Sequence, residues 1–245
     1  MIPRDHCHAV IPCLNEAPAI GRLVREAARH LGAVWVIDDA STDGTATAAR
    51  DAGAHVIQHP ATRGKGACLR AGWRAVQEQG IPWALCLDGD GQHRPSDIPH
   101  FLENASRTGA DLVVGDRMHA ADRMPWLRRA TNRTLSAWLS RAGGRAFPDS
   151  QCGFRLVRTD RLHELVLTTE HFEIESELLL AAARASWRIE FVPIETVYAN
   201  EHSKIRPFRD AWRWLRWFRH ARRNPPAAAS PAPGRSAVSA LRQPD

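Results

Sequence analysis

Several features are missing from this 245-residue chain, and each absence excludes something. No run of about 18 apolar residues occurs, so no transmembrane helix is expected. The opening residues, Met1 to His6, form no apolar signal region, and the first apolar run reads as a strand. The five cysteines (Cys7, Cys13, Cys68, Cys86 and Cys152) are odd in number and form no CxxC pair. That excludes a disulfide framework or a zinc ribbon and fits buried thiols in a reducing, cytoplasmic setting. No GxxxxGK[ST] loop, no GxGxxG behind a strand and no GxSxG elbow is present, which removes the P-loop, dinucleotide-binding and serine-hydrolase readings. Internal repeats are absent. Positive charge is not spread over the chain either. Residues 1–200 hold 23 Lys+Arg against 24 Asp+Glu, whereas residues 201–223 hold 8 against 2. A general nucleic-acid binder needs a basic fold, so that class is excluded. A localised anionic partner is expected instead.

What is present is an ordinary globular composition, 44% hydrophobic and 24% charged, in a length suited to one well-buried α/β domain. Short apolar runs at 9–13, 34–37, 55–58, 83–87 and 112–115 alternate with helical patterns at 15–31, 42–50, 65–79 and 96–105. Continuous apolar strands between helices predict a mostly parallel central sheet flanked by helices. In the second half, helices are predicted at 125–141, 174–185 and 208–223, and strands at 152–157 and 189–192. Residues 224–245, rich in Pro, Ala and Ser, cannot build a core and read as a disordered tail. The organisation expected is a catalytic domain over 1–206, a basic helix over 207–223 and that tail.

In parallel sheets, ligands bind beyond the carboxyl ends of the strands. Asp38 and Asp39 follow one strand and Asp88 and Asp90 another, so both acidic pairs belong on one rim. In Asp88-Gly89-Asp90-Gly91-Gln92-His93, two carboxylates one residue apart can converge on a hard cation. Such a cation is Mg²⁺ or Mn²⁺, with substrate phosphates in the remaining positions. A plain acidic turn is the alternative. Carboxylates at a strand end such as Asp38 and Asp39 can accept hydrogen bonds from ribose hydroxyls or a base edge. Asp43 reads as a cap for the next helix.

These residues carry a resemblance. Val10-Ile11-Pro12-Cys13-Leu14-Asn15-Glu16, Val36 to Thr45, Arg63-Gly64-Lys65-Gly66 and Asp88 to His93 resemble, in order, motifs of the family-2 glycosyltransferases. Val114 to Arg117, Asp149 to Arg155, Phe172 to Glu175 and Glu201 to Lys204 are similar to those of its dolichyl- or polyprenyl-phosphate mannosyl- and glucosyltransferase branch. The resemblance implies a GT-A fold, a GDP- or UDP-sugar donor, a divalent metal and inversion at the anomeric carbon. It implies donor contacts from Pro12, Asn15, Glu16, Asp38, Asp39, Lys65 and Asp88, and a metal held by Asp88, Asp90 and Gln92. Arg117, and one or more of Arg129, Arg133 and Lys204, would face donor or acceptor phosphates, which arginine binds through two hydrogen bonds at once. Asp90, Arg117 and Glu173 would serve the reaction, with Glu173 or Glu175 as base, as sugar-orienting group, or simply as the acidic start of a helix. A phosphate acceptor, already anionic, needs no strong base; a sugar or glycolipid hydroxyl does. The QxxRW pattern of polymerising relatives is missing.

Residues 208–223 place Phe208, Ala211, Trp214, Leu215, Phe218 and Ala221 on one helical face, with Arg209, Arg213, Arg216, His220 and Arg223 opposite. Tryptophan and arginine on an amphipathic helix describe an interfacial segment. Peripheral contact with an anionic membrane, at its cytosolic face, is therefore expected. Packing of the aromatic face onto the domain itself is the alternative. A non-catalytic nucleotide-sugar binder that uses this helix as a membrane module is a further reading, opposed by the intact carboxylate motif.

Overall fold

The structure, a computed structural model, describes residues 1–119, 124–195 and 207–223. In chain order the strands are β1 (Cys7–Cys13), β2 (Val34–Asp38), β3 (His55–Gln58), β4 (Trp83–Cys86), β5 (Leu112–Asp116), β6 (Arg155–Arg158) and β7 (Ile189–Pro193). The α-helices are α1 (Ala17–Ala27), α2 (Thr45–Asp51), α3 (Lys65–Glu78), α4 (Ile98–Thr108), α5 (Trp126–Gly143), α6 (Ile174–Arg184) and α7 (Pro207–Arg223). The strands form one seven-stranded sheet in the order β3-β2-β1-β4-β6-β5-β7.

The alternation of apolar runs and amphipathic helices explains the first half. Strand β1 is buried along nearly its whole length, as expected of a central strand covered on both faces. Helix α1 turns Ile20, Leu23, Val24 and Ala27 inward, and α4 does the same with Ile98, Phe101, Leu102 and Ala105. The chain runs outward from β1 to β2 to β3, then crosses back to place β4 on the other side of β1. The strand order thus reverses between β1 and β4. In an open α/β sheet, the crevice beyond the carboxyl ends at that reversal is where ligands bind.

The sheet is mixed. Strand β6 runs antiparallel to both neighbours, pairing Cys86 with Arg155 on one side and Val114 with Arg155 on the other. A strand at 152–157 was expected, but its direction is not encoded in its apolar pattern. Helix α5 lies between β5 and β6 in the chain, but β6 does not run parallel to β5 as it would after a crossover. Instead the segment after α5 passes over the carboxyl rim, and β6 enters the sheet from that end. Asp149 to Gly153 are delivered to the rim as a result.

Helix α7 lies on the domain. Trp214, Phe218 and Ala221 are buried, the Trp214 and Phe218 rings stand 6.1 and 6.3 Å from that of Trp138 in α5, and the Arg184 guanidinium donates to the Ala221 carbonyl at 2.9 Å. Burial of each large aromatic contributes roughly 1.5–3 kcal/mol. Trp214, Leu215, Phe218 and Ala221 of the apolar face identified from sequence therefore pack on the domain, whereas Ala211 is exposed. The tail 224–245 and Lys204 lie outside the described residues.

Candidate active site

The two acidic strand ends follow β2 and β4, which flank β1 in the sheet, and each is tied down differently. Asp39, one residue past β2, is buried and accepts hydrogen bonds from the backbone N–H of Arg63 and of Gly64, both at 2.8 Å, with His59 Nδ1 2.9 Å away. Burial alone would raise its carboxyl pKa. The two N–H donors and His59 outweigh that and hold it below the usual range. Gly64, with φ +99°, adopts a backbone that side chains rarely tolerate, and this lets its N–H turn onto Asp39. Asp38 is fully buried and accepts from Ser41 N–H and from the Gln58 amide. Asp43 accepts from the N–H of Thr45 and of Ala17, so it serves the first turns of both α2 and α1. Asn15, in the left-handed region at φ +53°, accepts from Thr42 N–H through Oδ1, and Glu16 N–H donates to Thr45 Oγ1. The loops after β1 and β2, which hold Asn15, Glu16 and Asp39, are thereby stitched together. Pro12, half-buried, stands at the end of β1.

The carboxylate turn follows β4. Asp88 forms an ion pair with Lys65 Nζ, and its other oxygen lies 3.3 Å from His93 Nε2. Lys65, in the first turn of α3, also reaches Glu175 Oε1 in α6 at 2.5 Å. Gly153 closes the other side of Asp88: a Cβ there would stand 2.5 Å from the carboxylate. Burial alone would raise Asp88, but the Lys65 charge and the His93 contact overcome it and hold the carboxyl well below its ordinary value. Asp90 goes the other way, raised by burial and by the Asp88 charge. Its Oδ1 accepts from Gln92 N–H at 3.0 Å. Two carboxylates whose pKa values are driven apart on one turn make it a candidate functional site.

A second cluster lies on the β6 side of the rim. The Arg117 guanidinium, just past β5, binds Asp149 through two hydrogen bonds of 2.7 and 2.9 Å. Asp149 is fully buried and also accepts from Asn132 Nδ2. Hydrogen bonds continue through Ser136, Ser150, Gln151 and Ser176 to the Trp214 indole N–H of α7. Arg133, on α5, is exposed, and Arg129 is half-buried on the same helix.

Three features were not apparent in the sequence. Arg155, a charged residue inside a strand, is almost fully buried and donates to the carbonyls of Cys152, Ser150 and Glu175. Glu173 faces Arg213 Nε of α7 at 3.0 Å, while Glu175 joins Asp88 through Lys65. Asp39, His59 and Cys68 offer ligand atoms within 4.8 Å of one another, although both Asp39 oxygens already accept backbone N–H groups. The Asp88–Asp90 turn, with oxygen donors on the rim, suits a hard ion better.

The family model "Glycosyl transferase family 2" matches residues 8–165. Glycosyltransferase AglJ of Haloferax volcanii is 32% identical over 225 residues, covering 88% of this chain and 72% of that protein. Undecaprenyl-phosphate mannosyltransferase of Micrococcus luteus is 32% identical over 209 residues, covering 77% and 82%. Among solved structures, glucosyl-3-phosphoglycerate synthase of Mycobacterium tuberculosis, in complex with Mn²⁺, UDP and phosphoglyceric acid, superposes with a TM-score of 0.66. It is 20% identical and covers 91% of this chain and 78% of its own. That likeness establishes the same GT-A fold.

Proposed function

The chain belongs to glycosyl transferase family 2 and is a glycosyltransferase, and we propose that its donor is a nucleotide sugar and that it transfers a hexose from a GDP- or UDP-sugar to a polyprenyl phosphate. The observation that carries the reading is the Asp88–Asp90 turn at the strand-order reversal, with Asp39 on the same rim. The acceptor class follows the Micrococcus relative, whose name specifies undecaprenyl phosphate.

The residues fit a divalent ion. Asp90 is raised by burial and by the neighbouring Asp88 charge, and a cation between the two carboxylates would relieve their repulsion. Asp88, Asp90 and Gln92 would hold Mg²⁺ or Mn²⁺, and both ions accompany UDP in structures of the same fold. An ion held there would supply positive charge that offsets the negative charge developing on the donor diphosphate as it leaves. Asp39, Pro12, Asn15 and Glu16 line the nucleoside side. Arg117, oriented by Asp149, addresses the phosphates of donor or acceptor, with Arg129, Arg133 and Lys204 as further cations. The acceptor oxygen is already anionic, so Glu173 acts by orienting the sugar rather than by taking a proton. A donor screen with Mg²⁺ or Mn²⁺ tests this reading, using a short polyprenyl phosphate beside 3-phosphoglycerate and a glycolipid hydroxyl. Turnover is expected only with the lipid phosphate. Turnover with either other acceptor alone refutes the assignment.

The same reading places α7 against an anionic membrane by its outward face. With Trp214 and Phe218 packed inward, that face carries Arg209, Arg216 and Arg219, and Trp212 is 59% exposed. Trp126 and Leu127 at the start of α5 are exposed as well. Among the described residues no helix is long and apolar enough to cross a membrane. Each basic residue near anionic lipid contributes about 1 kcal/mol. The triple charge reversal of Arg209, Arg216 and Arg219 to Glu should therefore weaken vesicle binding by at least about a hundredfold. Flotation with anionic vesicles at low salt measures it, and equal flotation of wild type and variant would defeat the membrane reading.

A further inference from the structure

Lys65, which the family resemblance implies as a donor contact, is held in this structure by two carboxylates. Its side chain is 13% exposed, and its ammonium lies between Asp88, just past β4, and Glu175 in α6. The Phe172 ring is 5.9 Å away, and a lysine ammonium near an aromatic ring is further favoured. Asp88 has no room to turn aside, because the Gly153 backbone blocks one flank and His93 engages the second oxygen. A divalent ion bound by Asp88 would share an oxygen with this ammonium. Two cations on one carboxylate repel strongly where water is scarce. The repulsion ends when Lys65 withdraws toward Glu175, or when an anionic diphosphate arrives to take up the excess positive charge.

Resting on the metal reading above, we propose that Lys65 is a resident cation that keeps Asp88 from a divalent ion until the donor diphosphate binds, with Glu175 as the carboxylate to which it retires. Metal uptake is thereby coupled to donor binding, and the site does not hold a loose ion beside an empty nucleotide pocket. In this scheme Lys65 and Glu175 are positioning residues for the metal, and neither needs to touch the sugar.

The test is Mn²⁺ binding by electron paramagnetic resonance, on the full-length protein, with and without UDP. Wild type should bind Mn²⁺ weakly alone and at least a hundredfold more tightly with UDP. Lys65→Met should bind Mn²⁺ alone at least tenfold more tightly than wild type, and its dependence on UDP should shrink. Lys65→Arg, which keeps the charge, should behave as wild type does. Glu175→Gln leaves Lys65 with Asp88 as its remaining carboxylate and should weaken Mn²⁺ binding without UDP several-fold, so it carries the test if Lys65→Met does not fold. Unchanged or weaker Mn²⁺ binding by Lys65→Met without UDP overturns the proposal, as does tighter binding by Glu175→Gln. Failure of wild type to bind Mn²⁺ even with UDP overturns the metal reading itself and this inference with it, a pattern distinct from the others.

Discussion

Asp90→Asn should lower kcat/KM by at least about 10³-fold, a loss of about 4 kcal/mol of transition-state stabilisation, while making the protein more heat-stable at neutral pH. Asp90 is only half-buried and accepts a hydrogen bond from Gln92 N–H, an acceptor role that the Asn amide oxygen keeps. Its carboxyl is raised by burial and by the Asp88 charge, so the folded state disfavours the ionised form. The sign of the pH dependence follows. The stability associated with a protonated Asp90 is fully present below the unfolded-state value, about 3.9, and is lost as pH rises through the folded value. Above that point wild type retains a repulsive carboxylate and the variant does not. Thermal melts in EDTA should show the variant more stable at pH 7 and equal to wild type at the acid end. A lower melting temperature at pH 7, or turnover within tenfold of wild type, would remove Asp90 from the metal site. Activity gained at the expense of stability is common where function gathers like charges.

Asp90 also shows how far the sequence reaches. Its place on the rim followed from two local facts, an apolar strand before it and glycines around it. The apolar runs of β1 to β5 and the helices between them were legible in the same way, because both their periods and their burial are local properties. Partners at long range were not. Lys65 meets Asp88 and Glu175 only because α3, β4 and α6 converge at the rim, and nothing in Arg63-Gly64-Lys65-Gly66 indicates a double ion pair. Arg155 is the clearest case. A charged residue in a short strand reads as solvent-facing, yet three backbone carbonyls left open by the segment before β6 and by α6 surround it. The direction of β6 is equally silent, since an apolar run is the same read either way. Helix α7 illustrates a different limit. A helical wheel separates the faces except at Ala211, which is exposed, and Arg213, which turns onto Glu173, but an aromatic face suits a lipid surface and a groove between α5 and α6 alike. Only the Trp138 ring and the Ser176 hydroxyl that receive Trp214 decide between them.

The buried carboxylate of Asp149 supports the largest expected change in stability. It accepts two hydrogen bonds from the Arg117 guanidinium and others from Asn132 and from the Gln151 N–H, with no exposure to solvent. Burial alone would raise its pKa, but the Arg117 charge and these donors hold it below the usual range. Breaking such a pair from one side costs about 3–5 kcal/mol, because the remaining charge stays partly desolvated. For a protein of this size, Asp149→Ala should therefore lower Tm by roughly 6–20 °C. The depressed carboxyl contributes stability that is present above the unfolded-state value and lost as pH falls through the folded value. The gap between wild type and variant should accordingly be widest near neutrality and close in strong acid. Arg117 depends on the same carboxylate for its orientation. At a temperature well below either melt, Asp149→Asn should keep its fold yet lose turnover with the lipid phosphate. That loss should appear in kcat more than in a thermal shift on UDP binding, if Arg117 acts on the phosphates during transfer. A melting temperature within two or three degrees of wild type for Asp149→Ala would show that the Arg117 pair does not hold the β6 side of the rim in place.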